Sequence, residues 1–227
     1  MADISVIIPS LNERLNLLKR VPFLLDLKNV FEILIVEAGE TNEKFVFDDS
    51  RVRILQTEKT GRAIQMNIGA AMAKGKILCF LHADVVPHTD SFEAIKKRYQ
   101  ENFKFGFFSY RFFPESFLLK INAFFTKKDG LFSGGGDQIQ WIEKELFQQM
   151  GGFDETFVIM EDFELTSRIK NNKVPYCIID LPATVSSRKY KSNSYVRVNF
   201  TNLIAFGLFL CRVDPLVIKR WCDFMLK

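Results

Sequence analysis

Several features that would assign a protein to a class at once are absent from this sequence. The four cysteines, Cys79, Cys177, Cys211 and Cys222, are far apart and form no CxxC pair. Most of them lie inside apolar runs, so we predict buried thiols in a reducing compartment. Neither GxGxxG nor GxxxxGK[ST] occurs, which argues against a dinucleotide fold or a P-loop.

Long apolar runs are also missing. No window approaches 18 uninterrupted apolar residues, and no basic segment precedes an apolar stretch of signal-peptide length near the N-terminus. We therefore expect a cytoplasmic protein, with peripheral contact at the inner face of a membrane left open. The 24 phenylalanines exceed what one modest core uses, so some are expected to face a membrane surface or a partner.

The charge balance argues against a nucleic-acid-binding protein. The net charge is +4, and no Lys/Arg stripe with interleaved aromatic residues appears, so we predict no nucleic-acid partner. A mild positive charge suits an enzyme with anionic substrates. With 48% hydrophobic and 26% charged residues, the 227-residue chain has the composition of a folded globular protein.

The order of apolar patterns predicts an α/β fold. Strands at residues 4–9, 31–36, 51–55 and 76–81 alternate with helical stretches, one disturbed at Pro22 and one over residues 60–73. This alternation predicts a doubly wound, mostly parallel sheet. Aromatic alternation after residue 100, the "QIQWI" stretch and a strand at 174–180 predict an extension of mixed strand direction. We expect helices at 143–150 and 161–171, and two more from Tyr195 onward.

Polar residues follow four of the predicted strands: Ser10 to Glu13, Glu37, the pair His82 and Asp84, and Asp180. In a parallel sheet, the first three of these strand ends share one edge. A crevice there would hold a nucleotide, because loop amides donate to it and carboxylates accept from ribose or base.

Asp84 is the candidate ligand for Mg²⁺ or Mn²⁺, because such hard cations take one or two protein carboxylates and complete their shell with phosphates and water. His82 stands two residues earlier, which on an extended strand end puts both side chains on the same side. The alternative is a turn aspartate beside a packed histidine.

A second acidic pair, Glu161 and Asp162, opens the helix in "MEDFELTSRIK". Carboxylates at this position commonly satisfy free helix amides, and that is one interpretation. The other is a general base for an acceptor hydroxyl. Further on, Arg188 and Lys189 in "SSRKY" are candidates for binding a diphosphate, or are simply solvated.

Taken in order, "SVIIPSLNE", "EILIVEAGETNE", "GRAIQMNIGAAMAKGKILCFLHAD", "GGFDE" and "EDFELTSRIK" resemble the family 2 glycosyltransferases of GT-A fold, most closely the short bacterial members. The resemblance spans roughly residues 4–190. Two positions depart from the family pattern. His82 replaces the first Asp of the D-x-D metal motif, and Glu37 stands where Asp is usual.

The resemblance implies an inverting transfer of a sugar from a nucleotide-sugar, most often a UDP-sugar, to an acceptor hydroxyl. It assigns the metal to Asp84, with His82 as a second candidate ligand, and the acceptor proton to Asp162 or Glu161. It assigns the nucleotide to Pro9, Asn12, Glu13, Glu37 and Arg62. The run at 134–136, with Asp137 and Gln138, is expected to form an acceptor or donor-sugar loop, or else a plain flexible turn.

Two other functions remain possible on the residues alone. One is a nucleotidyltransferase, although "PSLNERLNLL" lacks the glycine that its phosphate loop needs. The other is a non-catalytic nucleotide-sugar-binding protein, suggested by His82 and opposed by the Glu161/Asp162 pair.

The last 35 residues, 193–227, are predicted to be a helical extension of a catalytic domain formed by residues 1–192. The stretch 203–211 is apolar on every helical face, and the next helix carries Lys219, Arg220, Trp221 and Phe224. Such helices pack on the domain, lie on a bilayer or form a homodimer. A lipid-linked acceptor would make membrane contact useful.

Overall fold

A computed structural model of the chain describes residues 3–39, 46–130, 133–135 and 138–226. Within these residues seven strands form one mixed sheet in the order β3-β2-β1-β4-β6-β5-β7, with helices on both faces. The α/β class with a mostly parallel sheet and an antiparallel extension is confirmed.

The first half of the chain forms the parallel part of the sheet. The elements are β1 (Ile4–Ser10), α1 (Arg14–Leu25), β2 (Val30–Ala38), β3 (Val52–Thr57), α2 (Arg62–Met72) and β4 (Ile77–Phe80). Strand β1 lies between β2 and β4 and is parallel to both, and β2 is parallel to β3. The carboxyl ends of these four strands therefore lie at one edge.

The second half extends the sheet and covers it. Its elements are α3 (Ser91–Gln100), β5 (Phe105–Phe113), α4 (Phe117–Phe125), β6 (Gln140–Glu143), α5 (Lys144–Gln149), α6 (Glu161–Asn171), β7 (Tyr176–Ser186), α7 (Arg188–Ser192), α8 (Tyr195–Leu210) and α9 (Pro215–Met225). Strand β6 is antiparallel to both β4 and β5, whereas β7 is parallel to β5. The carboxyl ends of β5 and β7 thus return to the same edge as that of β4.

Alternating residues of the strands feed two cores, one on each face of the sheet. Val6 and Ile8 of β1 pack in the core beneath α1 and α3, whereas Ile7 packs in the core beneath α2 and α6. Strands β1, β2 and β4 bury both faces, which explains why they are almost continuous apolar runs, whereas the edge strand β3 is only partly buried.

Two local predictions were wrong. Pro22 does not interrupt α1, because Leu17, Val21 and Leu24 on either side of it are fully buried and hold the helix against the sheet. Strand β7 continues to Ser186, so Asp180 lies within the strand and not at its end. The Asp180 carboxylate pairs with the Lys127 ammonium at 3.0 Å. Helices α3, α4 and α7 form where no helix was predicted.

Helix α8 packs on the body of the protein by one face only. Val198, Thr201, Ala205 and Phe206 are buried, and the Phe206 ring lies 5.2 Å from that of Phe163 at the start of α6. The opposite face exposes Val196, Phe200, Leu203 and Leu210. Among the described helices, none combines the length and apolarity needed to span a bilayer. The division of the chain after residue 192 stays a prediction.

The cysteines are less uniform than predicted. Cys79 and Cys177 are buried in the sheet, but Cys211 is exposed after α8 and Cys222 is half-buried on α9. The apolar runs around the last two belong to helices with an exposed face, so their sequence context does not imply burial.

Candidate functional site

Two buried polar atoms lie side by side where β1 and β2 end. Ser10 and Glu37 are paired residues of these strands, and both are almost fully buried. One carboxylate oxygen of Glu37 accepts from the backbone N–H of Asn12 at 3.2 Å. The other, and the Ser10 hydroxyl, have no hydrogen-bond partner in the described part of the chain. Buried polar groups are rarely left unpaired, so this pair is suited to a polar ligand.

The loop after β1 places its polar residues by backbone geometry. Asn12 adopts a left-handed conformation (φ 60°), and its backbone N–H donates to Glu37. Glu13 begins α1, and its carboxylate accepts from the Asn16 side chain at 2.6 Å. Pro9 lies beyond the last β1 residue that pairs with β4, Ile7, so its missing N–H costs no hydrogen bond on that side.

Gln65 holds the two strand ends together and was not assigned a role from the sequence. Its buried side-chain amide donates to the carbonyls of Ser10 and Val36, both at 2.7 Å. The signal was a glutamine among the apolar residues that α2 packs on the sheet, such as Ala63 and Met66. The Gln65 amide thus fixes the spacing of β1 and β2 next to the unpaired Ser10 hydroxyl and Glu37 carboxylate oxygen.

His82 and Asp84 lie at the same edge, but not on an extended strand. Strand β4 ends at Phe80, and the Val85 N–H donates to the His82 carbonyl at 3.1 Å to close a turn. The argument that both side chains share one side of a strand is therefore wrong. Asp84 is exposed at this turn, and the described residues provide no hydrogen bond to its carboxylate.

A second residue missed in the sequence, Arg20 of α1, lies in the electrostatic field of Asp84. Partial burial lowers the pKa of the Arg20 guanidinium, and the Asp84 carboxylate opposes that shift. The Arg20 Nε atom is buried without a hydrogen-bond partner among the described residues. Asp84 thus has a cationic neighbour on the protein side and solvent on the other.

The acidic pair of α6 divides into two different environments. Glu161 is buried and forms an ion pair with Arg62 of α2, with Nε and Oε1 at 2.7 Å. Met160, which precedes the helix, adopts a left-handed conformation (φ 67°) and makes no side-chain cap. Asp162 is also nearly buried, beside it on the first turn. Arg62, predicted to bind the nucleotide, is thereby engaged with Glu161, although 43% of its side chain stays exposed.

Gly134 and Gly135, the described part of the glycine run, pack against α6. A Cβ atom on Gly135 would lie 2.5 Å from the Phe163 ring, and one on Gly134 would lie 2.6 Å from Thr166. The close approach predicted for these glycines is therefore made to a helix of the protein itself. Asp137 lies outside the described residues.

Buried glutamines fix the ends of this loop. The Gln138 amide accepts from the Gly134 N–H at 2.7 Å and donates to the Phe108 carbonyl at 2.9 Å. Gln140, another residue without an assigned role in the sequence, donates to the carbonyl of Asp162 at 3.2 Å and to that of Gly134. These amides position the loop and the first turn of α6 relative to the sheet.

Strand β7 closes the edge on the far side. Val86, two residues after Asp84, exchanges backbone hydrogen bonds with Thr184 at 2.7 and 2.9 Å. Arg188 follows on α7 and is exposed. The structure thus brings Glu37, Asp84, Asp162 and Arg188 to the same edge of the sheet, each on a different element.

The residues at this edge fit a divalent cation bound with its substrate. Among the described residues, no three His, Cys, Asp or Glu side chains converge on one point. A cation that takes most of its ligands from phosphate and water needs only one or two protein groups, which Asp84 and, two residues away, His82 would supply.

Comparison with known proteins shows the family of the chain. The family profile described as Glycosyl transferase family 2 matches residues 5–159. The chain belongs to this family. A curated relative, glycosyltransferase GlyG of Streptococcus pneumoniae serotype 4, is 31% identical over 107 residues. That alignment covers 43% of this chain and 35% of the relative, so the chain matches about a third of the relative's length.

Solved structures confirm the GT-A fold. The mannosyltransferase PcManGT of Pyrobaculum calidifontis, solved with GDP-Man and Mn²⁺, superposes with a TM-score of 0.67 at 16% identity, covering 99% of this chain and 72% of that one. Residues 1–349 of S. aureus TarS superpose with a TM-score of 0.64 at 13% identity, covering 96% and 69%. The chain is therefore a member of family 2 with the GT-A fold.

Proposed function

We propose that this glycosyltransferase moves a sugar from a nucleotide-sugar, with UDP as the favoured nucleotide, to an acceptor hydroxyl with inversion at the anomeric carbon. The observation that carries the proposal is the buried pair of unpartnered polar atoms on Ser10 and Glu37. A ribose or base that donates to Glu37 and bonds to Ser10 would satisfy both. The relative solved with GDP-Man and Mn²⁺ supports the ligand class.

The residues at the edge divide the work. Glu37 binds the nucleoside, with Pro9, Asn12 and Glu13 shaping the loop around it. Arg188, exposed on α7, would bind the diphosphate. A Mg²⁺ or Mn²⁺ ion held by Asp84, with His82 beside it, would supply positive charge for the departing diphosphate.

Asp162 is the candidate base. The acceptor oxygen forms a bond to the anomeric carbon while the bond between that carbon and the diphosphate oxygen breaks. The acceptor hydroxyl becomes acidic during this step and gives its proton to the Asp162 carboxylate. The diphosphate leaves with the bonding electron pair. Glu161 serves differently, because its carboxylate is held by Arg62 inside the protein. It anchors the first turn of α6, on which Asp162 is carried.

Melting shifts with UDP, GDP, dTDP and their sugars, with and without Mn²⁺, test the donor. Stabilisation by a nucleoside diphosphate that requires the metal is expected, and the absence of any shift would contradict the proposal. Binding without slow donor hydrolysis would indicate a non-catalytic binding protein.

Asp162→Asn tests the chemistry, with Glu164→Gln on the same helix as control, since the Glu164 carboxylate is paired with Arg168. Asp162→Asn should keep donor binding and lose about two to four orders of magnitude in turnover. Proton NMR of the product linkage would report the anomeric outcome. Equal turnover in Asp162→Asn and wild type would remove Asp162 from the mechanism.

A further inference from the structure

An exposed apolar surface, hereafter the α4 patch, covers the outer side of α4 and the end of β5. Phe117 and Phe125 are 79% and 63% exposed, and Phe113 is 70% exposed. The other members are more than 40% exposed: Leu118, Ile121 and Phe124. Six large apolar side chains within thirteen residues form a larger exposed cluster than the singly scattered apolar residues normal on a soluble protein.

The inner side of α4 is already occupied, which fixes this exposure. Leu119 is buried in the core, and the Asn122 side chain bonds to the Tyr195 hydroxyl at 2.7 Å and to the Asn199 amide at 2.8 Å on α8. Rotating the helix to hide its phenylalanines would break these hydrogen bonds and move Leu119 out of the core. The patch therefore needs an external partner.

Positive charge surrounds the patch. Among the basic residues of the stretch 111–128, Lys120 pairs with Glu115 and Lys127 with Asp180, which leaves Arg111 and Lys128 without an acidic partner among the described residues. The Lys128 ammonium lies 4.6 Å from the centre of the Phe124 ring, so cationic and aromatic groups are interleaved. Helix α7, linked to α4 by Asn122 and Tyr190 at 3.3 Å, adds exposed basic residues.

The patch lies at the same edge of the sheet as the candidate site. Strand β5 runs antiparallel to β6, which runs antiparallel to β4, so the ends of β4 and β5 point the same way. Phe113 pairs with Ser186 at the end of β7, and the same strand contacts the turn of Asp84 through Thr184 and Val86. A surface that covers the α4 patch would thus lie close to the site.

We propose that the α4 patch docks this protein on an anionic lipid bilayer. Phenylalanines with a basic border are the composition of interfacial helices, whose apolar face enters the boundary of the acyl chains while lysines meet lipid phosphates. A second copy of the chain fits less well, because two patches of the same positive charge would repel and interface cores are poor in lysine. Resting on the proposed function, the docked orientation brings the site to an acceptor held at the membrane, which favours a lipid-linked hydroxyl.

Vesicle flotation tests the docking with the full chain. The probes are phosphatidylcholine vesicles with and without phosphatidylglycerol, at low and high salt. Wild type should float with the anionic vesicles at low salt. Phe117→Ser/Phe125→Ser should lower the bound fraction about tenfold or more. The matched control, Val196→Ser/Leu203→Ser, removes comparably exposed residues from α8 and should stay within about twofold of wild type.

Each contrary result has a definite meaning. Wild type that remains soluble with anionic vesicles at low salt overturns the proposal, and so does an equal loss in both variants, which would assign membrane contact to the C-terminal helices. A dimer in sedimentation that only the α4 variant dissociates would make the patch a protein interface. The α4 variant should bind the nucleotide-sugar in solution as tightly as wild type does. If wild type floats with anionic vesicles but binds no nucleotide-sugar, the proposed function is overturned and the docking is not.

Discussion

Arg62 and Glu161 join the first turns of α2 and α6 by an ion pair of 2.7 Å between residues 99 positions apart in the chain. The carboxylate is 1% exposed and the guanidinium 43% exposed. Gln65 of α2 bonds to the ends of β1 and β2, so the ion pair connects these strand ends to the helix that carries Asp162. One contact thus couples the two halves of the candidate site.

Arg62→Met should destabilise the fold more than Glu161→Gln, because it leaves a carboxylate buried without its cation. We expect a loss of about 1–2 kcal/mol in the free energy of unfolding, less than for a fully buried pair because Arg62 is partly solvated. Urea denaturation of both single variants and the double variant measures the coupling. If Arg62→Met unfolds at the wild-type midpoint, the pair is not structural.

Asp84→Asn should abolish the increase in donor affinity that Mn²⁺ produces, since the amide lacks the charge that a hard cation requires, a loss of about tenfold or more. His82→Ala should lose less, because imidazole is at best the weaker ligand. Calorimetric titration of the nucleotide-sugar with and without Mn²⁺ separates the two. An equal loss at His82 would make the histidine a direct ligand.

Gly135→Ala should weaken both stability and turnover, because the new Cβ would lie 2.5 Å from the Phe163 ring and displace the start of α6. We expect about 1–3 kcal/mol of destabilisation, as for other overpacked sites. Gly207→Ala is the matched control: its Cβ has no neighbour within 4 Å, and Ala at this position of α8 should stabilise by up to about 1 kcal/mol. Thermal unfolding that ranks the two in the opposite order would contradict this packing.

The cysteines should react in the order of their exposure. Burial raises the pKa of the Cys177 thiol to about 11 and that of Cys79 further, so almost no thiolate forms at neutral pH, and both sulfurs are shielded. Cys211 is exposed and should be labelled first by a small alkylating reagent. Mass spectrometry of peptides over time measures the order. Labelling of Cys177 as fast as Cys211 in the folded protein would contradict the burial of β7.

The sequence by itself determined the parallel half of the fold. Apolar runs at β1, β2 and β4, each followed by polar residues, predict a sheet edge rich in carboxylates, and Glu37, Asp84 and the acidic pair of α6 lie at that edge. Local pattern suffices there because strands buried on both faces need continuous apolar residues, and functional groups follow where the strands stop.

Only the tertiary structure decided which of these groups are already engaged. Sequence periodicity does not predict contacts between residues far apart in the chain, because these depend on how the helices cross the sheet. Three such contacts shape the site: Gln65 with Ser10, Arg62 with Glu161, and Gly135 with Phe163. The unbroken helix at Pro22 was likewise decided by packing on distant residues of the sheet, whereas the turn at His82 is closed by a local hydrogen bond from Val85. The sequence "FLLKINAFF" also does not predict which face of α4 is exposed, because its apolar residues lie on several sides of the helix. The burial of Leu119 and the hydrogen bond between Asn122 and Tyr195 determine it.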